Sequence, residues 1–124
     1  MTAGRTVVEL SLDDLRSDDV RFLQEAAGDG QLHVRIPSDG LVQELTGTAP
    51  KFPLAERRFL AESLRWVSSA EVADAPLWTA LEAVAAEAET LAVRAEDEDP
   101  LLRSAAQAVG LQVRAISPDE RSGF

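Results

Sequence analysis

His33 is the only histidine in the chain and the first residue to weigh for chemistry. A lone imidazole can serve as a general base or as a pH sensor. Residues 32–36 alternate apolar and polar side chains, so His33 and Arg35 share the polar side of a predicted strand. We therefore expect His33 to face solvent without a catalytic role. One histidine cannot by itself supply a multi-histidine metal site.

Four aspartates lie close together near the start of the first predicted helix: Asp13, Asp14, Asp18 and Asp19. Carboxylate oxygens are the ligands that Mg²⁺ and Ca²⁺ prefer, but the spacing does not fit an EF-hand loop. Acids in the first turn of a helix also interact favourably with its dipole, and Arg16 and Arg21 are near enough to pair with them. We expect this structural role and assign no metal site.

A second acidic run, formed by Glu96, Asp97, Glu98 and Asp99, stands directly before Pro100. Such a run can bind a basic partner. It can also be a solvated loop whose last acid caps the following helix, and the proline favours this role. We expect a capped helix here and keep the four acids as candidate partner-binding residues.

The densest basic patch comprises Arg57, Arg58 and Arg65, with Lys51 upstream. Guanidinium groups bind phosphate well. However, Glu56 and Glu62 lie among these residues, so internal ion pairing is the expected role.

No catalytic or cofactor motif accompanies these residues. The turn sequences Gly28-Asp29-Gly30 and Ser38-Asp39-Gly40 match neither a P-loop nor a dinucleotide fingerprint. No serine stands in a G-x-S-x-G elbow, and the chain has neither cysteine nor tyrosine. We therefore assign no catalytic residue, no cofactor and no metal.

The charge balance restricts the partners. The formal net charge is −10, which disfavours nucleic acid and anionic membranes and favours a basic partner. No signal peptide or membrane span is apparent, so we expect a cytoplasmic protein. Eleven arginines against one lysine indicate a GC-rich bacterial genome.

The elements that must position these residues follow the order β-α-β-α-α-α-α-β. Predicted strands lie at 6–10, 32–36 and 111–115, with helices between them. This order predicts a helix-rich α+β fold, in which a small three-stranded sheet packs under a layer of about four to five helices. We expect residues 1–116 to form a single compact domain and residues 117–124 to form a mobile tail.

The strongest periodic pattern lies between Leu77 and Ala95. Its apolar residues recur every three or four positions: Leu77, Leu81, Val84, Ala88, Leu91 and Ala95. This spacing predicts one amphipathic helix with an apolar seam. The seam must pack against the rest of the chain, against a second copy or against another protein.

Together these features favour a non-enzymatic protein-interaction module: an accessory subunit, an adaptor, or an inhibitor of the antitoxin or immunity type, acting on a larger or basic protein. The candidate partner-binding residues are Trp66, Trp78, Leu81, Glu96, Asp97, Glu98 and Asp99. Large aromatics at helix ends are usually core, and an exposed one would be an interface anchor. The alternatives are a small enzyme that uses carboxylates, arginines and His33, and a structural homodimer paired through the seam.

Overall fold

The computed structural model describes residues 4–121. Its strands are β1 (Arg5–Glu9), β2 (Gln31–Pro37), β3 (Ser69–Ala73), β4 (Thr90–Arg94) and β5 (Gln112–Ile116). Its α-helices are α1 (Ser17–Ala27), α2 (Asp39–Thr46), α3 (Leu54–Ser63), α4 (Leu81–Glu87) and α5 (Pro100–Ala108). Two 3₁₀ turns, Leu77–Thr79 and Ala95–Asp97, precede α4 and follow β4.

The five strands form one parallel sheet in the order β3-β2-β1-β4-β5. The predicted α+β fold with a three-stranded sheet is therefore wrong, and the chain has a Rossmann-like α/β fold. The sequence pattern missed two short strands, β3 and β4. Two of the five residues of β3 are alanine and only Val72 is β-branched, whereas Leu91 of β4 also fits the helical spacing that runs from Leu77 to Ala95.

The Leu77–Ala95 segment is not a single helix. A 3₁₀ turn and α4 occupy its first half, and the chain becomes extended at Ala88 before entering β4. Leu91 points to the same side of the sheet as Leu81 and Val84, so one apolar cluster collects residues from both a helix and a strand. The helical spacing across the two elements is therefore coincidental.

Helices cover both faces of the sheet, and we name each face by the helices that pack on it. On the α1/α3 face, Val8, Val34 and Ile36 pack with Phe22 and Leu23 of α1. On the α4/α5 face, the apolar cluster comprises Val7, Leu77, Leu81, Val84, Ala88, Leu91, Ala106 and Leu111, with Val93 and Val113 at its edge. Its sheet residues come from β1, β4 and β5. Over β2 and β3, the same face presents polar side chains instead.

Arg57 ties together the loops that follow β1 and β2. Its side chain is fully buried in α3 and donates to the carbonyl oxygens of Ser11, Pro37 and Phe52 at 3.0, 2.8 and 3.1 Å. It also pairs with Asp39 at 2.6 Å. The bond to Pro37 is buried, and the bonds to Ser11 and Phe52 are partly buried, so one guanidinium satisfies acceptors from three segments of the chain.

We expect Arg57→Met to lower the free energy of unfolding by about 3–5 kcal/mol, because the buried Pro37 carbonyl and three partly buried acceptors lose their donor together. Urea denaturation followed by circular dichroism measures the loss. The matched control is Arg58→Met, which removes a half-exposed residue paired with Glu62 at 3.7 Å and should cost less than about 1 kcal/mol. Equal losses in the two variants would contradict the role assigned to Arg57.

Candidate functional site

The strand order places a topological switch point between β1 and β4. From β1 the chain continues to β2 and β3 on one side, and it then crosses to β4 on the other side. In open parallel sheets, the carboxyl ends of two such strands flank the crevice where ligands bind. Here those ends carry Glu9 and Arg94.

Ion pairs close the α1 side of this switch point. Arg94 binds Asp18 at 3.3 Å and also binds Asp19, and its guanidinium lies 4.8 Å from the centre of the Phe22 ring. Arg121 is only 4% exposed; it binds Asp18 at 2.9 Å and forms a two-pronged pair with Glu96.

This network argues against an anionic ligand at the start of α1. Helix N-termini commonly bind phosphate, but the first turn of α1 carries Asp18 and Asp19. The arginines that could offset those charges are already paired with them. A phosphate would therefore meet carboxylates in the position where other sheets of this type offer backbone amides.

On the α4/α5 side the switch point is open. A crevice of about 510 Å³ lies between the end of β1, the Leu77–Thr79 turn and the start of α5. Trp78 and Leu101 stand on its walls and are 62% and 81% exposed. Asp97 and Asp99 add negative charge to the same walls. We call this the switch-point crevice.

Glu9 occupies the inner end of the switch-point crevice. Its Oε1 is buried and has no hydrogen-bond partner among residues 4–121. Burial raises the pKa of this carboxyl, and Arg35 at the same register on β2 only partly offsets the increase. A carboxylate held in this way has free capacity for a cationic group.

The four acidic residues at 96–99 do not form a single partner-binding surface. Glu96 is committed to Arg121, and Glu98 pairs with Arg103. Asp99 caps α5 by accepting from the amide of Leu101 at 2.9 Å, as the proline pattern predicts. Asp97 and Asp99 are the two members of the run that line the crevice.

The apolar candidates for partner binding lie in different parts of the structure. Trp78 lies on the crevice wall, whereas Trp66 packs against the α1/α3 core with the Arg65 guanidinium 5.1 Å from its ring. Leu81 is 5% exposed and belongs to the α4/α5 core. Glu9 and Leu101 escaped the sequence analysis, because their significance depends on the parallel order of the strands.

The aspartates near α1 do not gather around one point. Asp13 accepts from the amides of Lys51 and Phe52 at 2.8 and 2.9 Å, which holds the loop before α3. Asp14 pairs with Arg16 at 3.2 Å and lies 3.7 Å from Lys51. Asp18 and Asp19 join the ion-pair network described above.

His33 does not face solvent. It is 6% exposed and Arg35 is 5% exposed, although both do alternate with the apolar residues of β2 as expected. The prediction fails because a parallel sheet is covered on both faces, so the polar side of a strand is also buried. His33 and Arg35 line a cavity of about 290 Å³ that also contains Glu71 and Glu87.

The expected mobile tail of residues 117–124 is described only as far as Arg121. Residues 117–121 form a turn after β5, and in this turn Glu120 accepts hydrogen bonds from Ser117. Arg121 donates to the carbonyl oxygen of Ile116 at 2.7 Å. This segment therefore contributes to the switch point, and residues 122–124 lie outside the described residues.

Comparison with known proteins identifies a fold. No protein-family model matches the chain, and no curated protein matches it. Among solved structures, it is similar to the crystal structure of the lipopolysaccharide core biosynthesis protein from Thermoplasma volcanium GSS1, with a TM-score of 0.76 and 19% sequence identity. The match covers 93% of this chain and 96% of that chain. Within residues 4–121, no helix is long and apolar enough to cross a membrane.

We expect Arg121→Gln to lower the melting temperature by several degrees at neutral pH. Arg121 holds the pKa values of the Asp18 and Glu96 carboxyls below their usual range. The stability from these pairs is therefore present above the unfolded-state pKa values and is lost as the pH falls through the lowered folded-state values. The difference between variant and wild type should shrink with acidification, as measured by thermal denaturation at several pH values.

Arg114→Gln is the control for this change, because Arg114 is 42% exposed in its side chain and pairs with Glu25 and Glu120 at the surface. It should shift the melting temperature less than Arg121→Gln at neutral pH. A pH-independent effect of Arg121→Gln would show that its packing matters rather than its charge.

Proposed function

We propose that this chain is a cytoplasmic protein-interaction module, and that its switch-point crevice receives a basic, partly apolar segment of a partner protein. The observation that carries the proposal is that Glu9, whose buried Oε1 has no hydrogen-bond partner among the described residues, lines the same crevice as the exposed Trp78. An arginine or lysine side chain that enters the crevice could pair with Glu9 while its aliphatic part packs on Trp78. Accessory subunit, adaptor and inhibitor are all roles that such docking would serve.

The chemistry of the crevice walls supports this occupant. Tryptophan is enriched at the centres of protein interfaces, where its ring can also bind cations. Leu101 beside it enlarges the apolar area. Asp97, Asp99 and the net charge of −10 would favour association with a basic surface and accelerate encounter.

A homodimer paired through the Leu77–Ala95 seam has less support. Leu81, Val84 and Leu91 are buried within the chain, so a second copy could reach them only if the α4/α5 core opened. The small-enzyme alternative is favoured by one observation, the cavity that gathers His33 with Arg35 and Glu71. Substitution of His33 separates the two functions, since it should leave binding at the switch-point crevice unchanged.

The first test uses Trp78 fluorescence. Trp66→Phe leaves Trp78 as the only tryptophan, and this protein is titrated with a short peptide amide that alternates arginine and leucine. We expect a saturable change in emission. A peptide with glutamate in place of arginine should produce none, because it would meet Glu9, Asp97 and Asp99.

Substitutions then locate the binding. We expect Glu9→Gln and Trp78→Ala each to weaken binding of the arginine peptide at least tenfold by calorimetry, since each removes a central contact. Phe59→Ala is the matched control, because Phe59 is 66% exposed on α3, outside the crevice. Equal binding by all of these variants would assign the peptide to the general acidic surface and contradict the proposal.

Stability measurements distinguish lost binding from lost folding. Because burial raises the pKa of Glu9, its ionisation at neutral pH opposes folding, and Glu9→Gln should raise the melting temperature there. The gain should disappear as the pH falls through the raised pKa, where the wild-type carboxyl is neutral too. A variant that is more stable and yet binds less would identify Glu9 as a binding residue.

A further inference from the structure

The polar part of the α4/α5 face lies over β2 and β3. His33 stands opposite Ser69, and Arg35 stands opposite Glu71, all within the register of these two strands. Glu87, the last residue of α4, reaches over the same cavity. These residues take no part in the switch-point crevice.

The His33 ring is held in one orientation. Its Nδ1 lies 2.6 Å from Ser69 Oγ. Nε2 is buried and has no hydrogen-bond partner among the described residues, and it carries a lone pair in the tautomer whose Nδ1 donates to Ser69. Glu71 Oε1 lies 3.0 Å from Nε2 but without the alignment of a hydrogen bond. A buried nitrogen of this kind is unfavourable unless something binds it.

Two carboxylates approach this nitrogen. The ligand atoms of His33, Glu71 and Glu87 all lie within 4.8 Å of one another, and they form a three-residue group able to hold a metal ion. Ligand atoms around one tetrahedral ion are roughly 3.3 Å apart, so an ion would draw these atoms closer together, and Glu71 and Glu87 are both exposed side chains. In metal sites, a ligating imidazole commonly donates its other N–H to a carbonyl or carboxylate, which fixes the orientation of the ring. Here the hydroxyl of Ser69 occupies that position.

We propose that His33 Nε2, Glu71 and Glu87 bind a divalent transition-metal ion of the zinc class. A site with an imidazole nitrogen suits such an ion better than Mg²⁺ or Ca²⁺, which prefer oxygen ligands alone. Three protein ligands leave a position for water or a small anion. Arg35 lines the same cavity with a buried Nη1 that also lacks a partner, and its charge is offset by Glu9 and Glu71 at the same register.

Calorimetric titration with Zn²⁺ tests the site, in a buffer with excess Mg²⁺ to occupy oxygen-only sites on the acidic surface. We expect one ion per chain. His33→Gln, Glu71→Gln and Glu87→Gln should each weaken binding at least tenfold, and Ser69→Ala should weaken it less. Glu82→Gln is the matched control, since it removes an exposed carboxylate from the same helix α4 outside the metal-binding group.

Co²⁺ supplies a second readout. Bound to a nitrogen and two carboxylates, Co²⁺ should give visible absorption bands that Zn²⁺ abolishes by displacement, and His33→Gln should lack them. If His33→Gln does not fold, Glu71→Gln and Glu87→Gln still test the metal site, because both side chains are exposed and their substitution should leave the protein folded. Zn²⁺ binding of equal strength in all variants, or no saturable binding in the wild type, would overturn the proposal.

The two sites are separable by the same variants. Glu71→Gln and Glu87→Gln should retain binding of the arginine peptide, and Trp78→Ala should retain binding of Zn²⁺. Loss of the metal site would therefore leave the proposed docking function standing, and the converse also holds.

Discussion

Parallel pairing of all five strands is the constraint on which the rest of this molecule depends. Both faces of such a sheet must be covered by other elements, and in this chain the two faces are covered unequally. α1 and α3 build an apolar layer that reaches β2 as well as β1. On the other face, the apolar cluster takes its sheet residues from β1, β4 and β5. Polar residues occupy the α4/α5 face of β2 and β3. Of these, His33 and Arg35 are buried, whereas Glu71 is exposed.

Three buried polar atoms without partners among the described residues follow from this unequal cover: Glu9 Oε1, His33 Nε2 and Arg35 Nη1. All three project from adjacent strands toward the α4/α5 face, and Glu9 and Arg35 stand opposite each other. Elsewhere the chain satisfies its buried charges thoroughly, as Arg57 and Arg121 show with several bonds each. Among the described residues, the buried polar atoms without partners are therefore concentrated on one face of the sheet.

Local signals in the sequence predict much of the first half of the chain. The alternation at 32–36 matches strand β2, and the two turn sequences stand at helix ends. α1 ends before Gly28, and Ser38 caps α2 by accepting from the amide of Leu41 at 3.1 Å. β3 and β4 could not be predicted in this way, because the two alanines of β3 fit a helix as well as a strand and Leu91 of β4 continues a helical spacing. Only pairing with β2 and β1 makes them strands, and that pairing is not local.

The same limit explains which site residues could be found. Trp78 was a candidate by residue type alone, and Asp99 by its place before a proline. Glu9 follows a short β-branched run and looks like any polar residue at a strand end until β4 is placed beside it. Glu71 and Glu87 are 16 positions apart in a chain rich in acids, and only the β2–β3 pairing and the end of α4 bring them to His33.

The acidic charge of the chain is divided between two purposes. Asp18, Asp19 and Glu96 neutralise Arg94 and Arg121, which closes the α1 side of the switch point and excludes anions. Glu9, Asp97 and Asp99 remain on the opposite side, facing an open crevice. A sheet whose switch point usually suits phosphate thus presents carboxylates on both sides. In the docking function that we propose, the ligand of this crevice is a cation, and the exposed Trp78 and Leu101 favour a cation attached to an apolar group.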